Sequence, residues 1–149
     1  MFSEVLIKSP ITKQEFVDYY EFRWEQLRKP LGMPLGSERD HLEAQAYHCM
    51  AIHANNTVVG VGRIHESSEQ IMQIRYMAVA GEFQKQGVGT AILQSLLSYA
   101  EDHRSSCCWL RARVDAVEFY QKAGFVNLGQ ISSELEIPHI RMEMSLSRS

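Results

Sequence analysis

From position 76 the chain reads Tyr-Met-Ala-Val-Ala-Gly-Glu-Phe-Gln-Lys-Gln-Gly-Val-Gly-Thr, ending at Thr90. An apolar stretch closes, and Gly87 and Gly89 stand where a long helical period opens. The first N–H groups of a helix have no partner inside it, and with the helix dipole they attract anions. A glycine there lacks a Cβ, so a phosphate can approach the backbone closely. The chemistry this spacing serves is the holding of a phosphate or pyrophosphate. A P-loop would end in Gly-Lys-Ser/Thr, but Gly89 is followed by Thr90 and Ala91. A dinucleotide fingerprint would need a third glycine where Ile92 stands. What remains is Gln84-x-x-Gly87-x-Gly89, or an ordinary helix start with two permissive glycines.

Arg75 is the second residue that asks for an explanation. It lies in an apolar run, and a buried charge is costly unless paired. No His/Cys/Glu set shows metal-ligand spacing, so no metal is expected. Cys107 and Cys108 are adjacent on an expected strand, one thiol to each face, which suits packing.

The elements that must carry these residues are legible in outline. Residues 3–8 read as a short strand. Thr12 stands three before Glu15, a capping-box spacing that opens a helix to about Arg28. Two prolines and two glycines mark 29–36 as a loop, and a short helix is expected from about Glu38 to Ala44. Tyr47–Ala54 and Val58–His65 form a hairpin around Asn55-Asn56, followed by a polar turn from Glu66 to Gln70 and a strand at 71–79. A helix from about Gly87 to His103 carries Ile92, Leu93, Leu96, Leu97 and Ala100 at helical spacing. Then come a strand at 107–112, a helix at 115–123 stopped by Gly124, and strands at 125–128 and 140–146. Helices interleaved with strands, with a hairpin run in the middle, indicate an α/β (α+β) three-layer domain.

Composition fixes the class and leaves the reaction open. A chain of 149 residues, 45% hydrophobic and 22% charged, fits one globular domain, 1–149. A net charge of -3 excludes a nucleic-acid binder that works through bulk charge. Three cysteines make no disulfide framework and suit a reducing compartment. No apolar run is long enough to span a bilayer, and the N-terminus does not read as a signal peptide, so a cytoplasmic protein is expected.

Two segments carry a resemblance. Gln84-Lys-Gln-Gly-Val-Gly-Thr90, after Met77-Ala-Val79, resembles the acetyl-CoA pyrophosphate loop of the GNAT N-acetyltransferase superfamily. About thirty residues on, Ala116-Val-Glu-Phe-Tyr-Gln-Lys-Ala-Gly-Phe125 resembles that family's Ala-x-x-Phe-Tyr-x-x-x-Gly-Phe helix and turn. A closer resemblance is to the GNAT half of bacterial proteins that join such a domain to a hot-dog thioesterase-like domain. It rests on Phe22-Arg-Trp24, Leu27-Arg-Lys-Pro-Leu31, Gly36-Ser-Glu-Arg-Asp40, Val61-Gly-Arg63 and Ile74-Arg75. The resemblance implies a mixed, mostly antiparallel sheet, splayed at a central strand and flanked by about four helices.

It also implies roles. The backbone of Met77, Ala78 and Val79 would meet the pantetheine arm of acetyl-CoA. Gln84, Lys85, Gln86, Gly87, Val88, Gly89 and Thr90 would hold the pyrophosphate. Tyr120 matches the tyrosine near the CoA sulfur, and a phenol can protonate a departing thiolate. Two positions depart from the family. Arg113 replaces the usual asparagine and suits a CoA phosphate or a substrate carboxylate. Gln73 stands where histone-type members carry a glutamate base. The candidate bases are then His65, Glu66 and His139.

On the acceptor side stand Arg75, Trp24, Met33 and His139. Arg75, joined by Arg63 and Arg111, would favour an acidic substrate or a dicarboxylic acyl group such as malonyl. The activity implied is acetyl transfer from acetyl-CoA to an amine of a small molecule or peptide. The alternatives are decarboxylation of malonyl thioesters on CoA or acyl carrier protein, and a non-catalytic acyl-CoA-binding module. A homodimer is a further family expectation.

Overall fold

The computed structural model describes residues 4–131 and 137–146. Seven strands form one sheet: β1 (Leu6–Lys8), β2 (Tyr47–His53), β3 (Thr57–Ser68), β4 (Ile71–Val79), β5 (Cys107–Arg113), β6 (Val126–Ile131) and β7 (His139–Ser145). Their order is β1-β2-β3-β4-β5-β7-β6, and among the described residues only β4 and β5 pair in parallel. Three α-helices cover the sheet: α1 (Lys13–Leu27), α2 (Val88–Asp102) and α3 (Val117–Ala123). Ser3, at the head of the expected first strand, lies outside the described residues.

Strand alternation sorts the side chains onto two faces. On one, Cys49, Ala51, Ile64, Ile74, Cys108 and Leu110 pack against Ile92, Leu93 and Leu96 of α2. On the other, Met50 and Val61 pack against Tyr19 and Phe22 of α1. α2 lies so close to β3 that a Cβ on Gly60 would stand 2.7 Å from Ile92, and one on Gly62 2.8 Å from the same side chain.

α1 starts as its sequence predicts. The Thr12 side chain accepts from the Glu15 N–H at 3.0 Å, and Glu15 accepts in turn from the Thr12 N–H at 3.0 Å. Lys8 adds an ion pair to Glu15. These bonds hold the Glu15 carboxyl down at about 2, with the Lys8 bond contributing most.

The helix expected at 38–44 does not form; only a 3-10 turn at Glu43–Gln45 is present. The side chains there serve the backbone and the sheet instead. Glu38 accepts from the Gly36 N–H at 2.7 Å, and Asp40 from the Leu42 N–H at 2.9 Å. Such local bonds compete with helix.

Two irregularities in β4 matter most. The β4–β5 pairing covers only Ile71–Ile74 against Cys107–Leu110, although β4 runs on to Val79 and β5 to Arg113. Past Ile74 and Leu110 the sheet splays, and one edge of β4 is left without a strand partner. The second irregularity is a bulge. Val61 pairs with Ala78 and Arg63 with Arg75, so Gly62 faces two residues, Tyr76 and Met77. Tyr76 takes a left-handed φ of 61°. For a bulky residue that is a true outlier, of the kind found at functional sites.

Candidate active site

The loop from β4 to α2 carries the residues expected to hold the pyrophosphate. Lys85 and Gly87 both have positive φ, 63° and 85°. Left-handed residues in such loops turn successive N–H groups into a concave array. Gly87 is the N-cap of α2, and the first amide to find a helical acceptor is that of Ala91, bonded to the Gly87 carbonyl at 3.0 Å. The glycines serve different needs. Gly87 needs its left-handed φ, with open space where a Cβ would be, whereas a Cβ on Gly89 would stand 3.3 Å from the Phe119 ring. Gln84 ties the loop to the strand by donating to the Val79 carbonyl at 3.0 Å, and Gln86 donates to the Glu82 carbonyl at 2.8 Å. Val88 sends its side chain into the core, and Lys85 and Thr90 are exposed. The loop follows directly on the open edge of β4 that holds Met77, Ala78 and Val79.

Tyr120 lies on α3, buried among Phe119, Phe125 and Cys108. Burial, and then the neighbouring Cys108, push its phenol well above the ordinary value, so it stays protonated. The same surroundings push the Cys108 thiol up to about 12, mainly by burial.

The three candidate bases have different settings. The ring of His65 is buried, and its Nδ1 accepts from Arg63 at 3.1 Å. Burial, and then the charge of Arg63, lower its pKa to about 4. Glu66 is exposed and accepts from the Gln70 N–H at 3.2 Å, closing the β3–β4 turn. Both pair opposite the start of β4, His65 with Gln73 and Glu66 with Met72, where the sheet is still closed. His139 instead pairs with Arg113 at the end of β5, on the splayed side. Its Nδ1 lies 2.7 Å from the Ile137 carbonyl and so donates, which leaves Nε2 to carry the lone pair of the neutral ring.

Of the residues expected on the acceptor side, Trp24 donates its indole N–H to the Met33 carbonyl at 3.0 Å, bracing the Pro/Gly loop against α1. Arg75 pairs with Asp40 at 3.0 Å, and the same carboxylate takes two bonds from Arg63, at 2.7 and 3.1 Å. Glu43 joins Arg63 at 2.8 Å to Arg23 at 2.9 Å. Both Arg23 and Arg63 are fully buried. Asp40, though desolvated, is held well below the usual carboxylate range by the Arg63 bonds. The Tyr76 ring sits among four guanidiniums, 4.2 Å from Arg23, 4.6 Å from Arg75, 4.9 Å from Arg63 and 5.5 Å from Arg28.

Asp40, Glu43, Arg28 and Tyr76 thus surround Arg75 and Arg63 in the candidate site, and sequence reasoning gave none of them a role there. The unpaired look of Arg75 was the signal that a carboxylate had to reach it. Nothing local marked a loop aspartate 35 residues away as that partner.

Residues 25–146 match the family model of the acetyltransferase (GNAT) domain. Over 143 residues the chain is 29% identical to the uncharacterized N-acetyltransferase YjcF of Bacillus subtilis, which covers 91% of this chain and 98% of that protein. An acyl-CoA N-acyltransferase from Pseudomonas aeruginosa superposes with a TM-score of 0.78 at 22% identity, over 95% of this chain and 98% of that one. An aminoglycoside 6'-N-acetyltransferase solved with coenzyme A gives 0.79 at 13% identity, over 97% and 99%. At such identities the two structures speak for the fold. The family model spans most of the chain, and this protein accordingly belongs to the GNAT acetyltransferases, acyl-CoA-dependent N-acyltransferases with acetyl-CoA as cosubstrate.

Proposed function

We propose that the protein acetylates the amine of a small molecule or peptide by direct attack on acetyl-CoA. The observation that carries this reading is the open edge of β4 running straight into the amide-lined start of α2. Backbone groups of Met77, Ala78 and Val79 meet the pantetheine amides, because an unpaired strand edge needs hydrogen-bond partners. The N–H groups from Lys85 to Thr90, with the Gln84 and Gln86 side chains shaping the loop, hold the pyrophosphate. Arg113 stands by as a phosphate or carboxylate contact.

The amine nitrogen attacks the thioester carbonyl carbon, a C–N bond forms and the C–S bond breaks. Tyr120 gives its proton to the departing sulfur. The attacking nitrogen loses a proton to a base, and His139 is the candidate best supported. It stands at the splayed side, where the Ile137 carbonyl engages Nδ1 and leaves Nε2 as the nitrogen for proton transfer, whereas burial lowers the pKa of His65 to about 4. Most of the rate comes from positioning and from backbone N–H groups polarising the carbonyl.

The test couples binding to turnover. Acetyl-CoA should raise the melting temperature; at a hundredfold excess over Kd a ligand stabilises by about 2.7 kcal/mol. Free thiol should then appear only when an amine is added. Thiol release without amine, leaving an acylated protein, would overturn direct attack. Carbon dioxide release from malonyl-CoA without amine would replace the reading with a decarboxylase.

A further inference from the structure

The register of the sheet lines up basic residues that are far apart in sequence. Arg63 pairs with Arg75 across β3 and β4, and Arg111 with Arg141 across β5 and β7. Arg75 and Arg111 are the next residues beyond Ile74 and Leu110, where the β4–β5 pairing stops. Four arginines therefore cross four strands in one row, at the apex of the splay. Like charges directly opposite each other destabilise a sheet, so two such pairs in one row need a compensating partner.

The carboxylates at hand compensate Arg63, Arg75 and Arg141 and leave Arg111 without one among the described residues. Asp40 and Glu43 serve Arg63, Asp40 also serves Arg75, and Glu143 takes Arg141 at 2.8 Å. Arg111 and Arg113 are exposed, and neither forms a salt bridge among the described residues. Arg28 also lacks a carboxylate there. It donates to the backbone carbonyls of Ser37 and Leu27 and leans over Tyr76 beside Arg75. Burial first, and then the like charges of Arg75, Arg113 and Arg23, depress its basicity.

Resting on the transferase reading above, we infer that the acceptor is an amine carrying a carboxylate or phosphate, and that Arg75, Arg111 and Arg28 bind that anion where β4 and β5 part. The anion replaces the missing partner of the row. Its position beside the unpaired edge of β4 sets the amine of the same molecule toward the thioester. Arg113 flanks the same opening at the end of β5. Guanidiniums suit the task because they hold carboxylate and phosphate oxygens through paired N–H donors.

The experiment compares matched amines with acetyl-CoA as donor, reading free thiol: β-alanine against β-alaninamide, glutamate against glutamine, and phosphoethanolamine against ethanolamine. The anionic member of at least one pair should have a kcat/KM tenfold or more above its neutral counterpart. The preference should shrink at high salt, and the carboxylate and phosphate pairs tell the two anions apart. Arg111→Gln, an exposed position with no ion pair to break, should abolish the preference while the KM for acetyl-CoA holds. Turnover of neutral members alone would overturn the anion subsite and leave the transferase reading standing. No thiol release with either set would overturn both. A preference for malonyl-CoA or succinyl-CoA over acetyl-CoA that Arg111→Gln removes would put the anion on the acyl group and overturn its assignment to the acceptor.

Discussion

Tyr120 and Asp40 show how much a single side chain carries here. The phenol of Tyr120 is kept protonated by burial, in surroundings that also disfavour a thiolate. Tyr120→Phe should lower kcat roughly a hundredfold, the lower end of what a positioned acid contributes, while the KM for acetyl-CoA stays within about twofold; steady-state thiol release checks both. Asp40 has a structural charge. Its two oxygens take three bonds from Arg63 and Arg75, and Asp40→Asn leaves buried Arg63 with Glu43 as its one ionised partner beside the His65 ring, among the described residues. Breaking a buried pair from one side costs about 3–5 kcal/mol, so urea unfolding should show a loss near the lower figure, since Glu43 remains. Tyr120 stood out in the sequence because its neighbours spell a motif, and its buried place on α3 is what the structure adds. Arg75 was legible as an anomaly, because a charge in an apolar run must answer to something. Its answer was not, because Asp40 reaches it only after the loop has folded back over the sheet.

The strands and helices were read from period and punctuation, and the strand at 71–79 has the bounds the alternation gave. The bulge at Tyr76 was invisible, because its left-handed residue is a tyrosine and not a glycine. The arginine row was invisible too, since it exists only in the pairing register. The helix expected at 38–44 failed because Glu38 and Asp40 bond to nearby backbone. Close packing of α2 on β3 gives a direct test at this scale. A Cβ on Gly62 would lie 2.8 Å from Ile92 and 2.9 Å from the Met77 sulfur, so Gly62→Ala should cost about 1–3 kcal/mol by overpacking. Met77 lies on the open strand, so the same variant should also weaken acetyl-CoA binding, measured by calorimetry. At the head of α1, Thr12→Ala removes the cap and should cost about 1 kcal/mol, read from the same denaturation curves.

For the molecule as a whole, the buried histidines tie stability to acidity. His65 faces Arg63, Arg75, Asp40 and Glu43 and has its pKa lowered from 6.5 to about 4 by burial first. His48, buried against Tyr19, is lowered in the same direction. Between 6.5 and about 4 the unfolded chain binds a proton that the folded chain refuses. The contribution of His65 is therefore complete above 6.5 and lost as pH falls toward 4, and that of His48 has the same sign. Thermal unfolding across that range should show the decline, and His65→Gln, which keeps an acceptor for Arg63, should flatten it. The net charge of -3 hides how unevenly charge is distributed, with arginines gathered at the splay. One neighbour of that gathering makes the molecule its own optical instrument. Trp109 lies 4.1 Å from the Arg141 guanidinium and 5.1 Å from that of Arg111, and its indole N–H donates to Ser67. The other tryptophan, Trp24, is on α1 and bonded to the Pro/Gly loop. Any occupant that draws Arg111 away changes the polarity over one indole, and any shift of the loop changes it over the other. Two emission signals from two native residues thus separate arrival at the sheet from movement of the wall, with no label added.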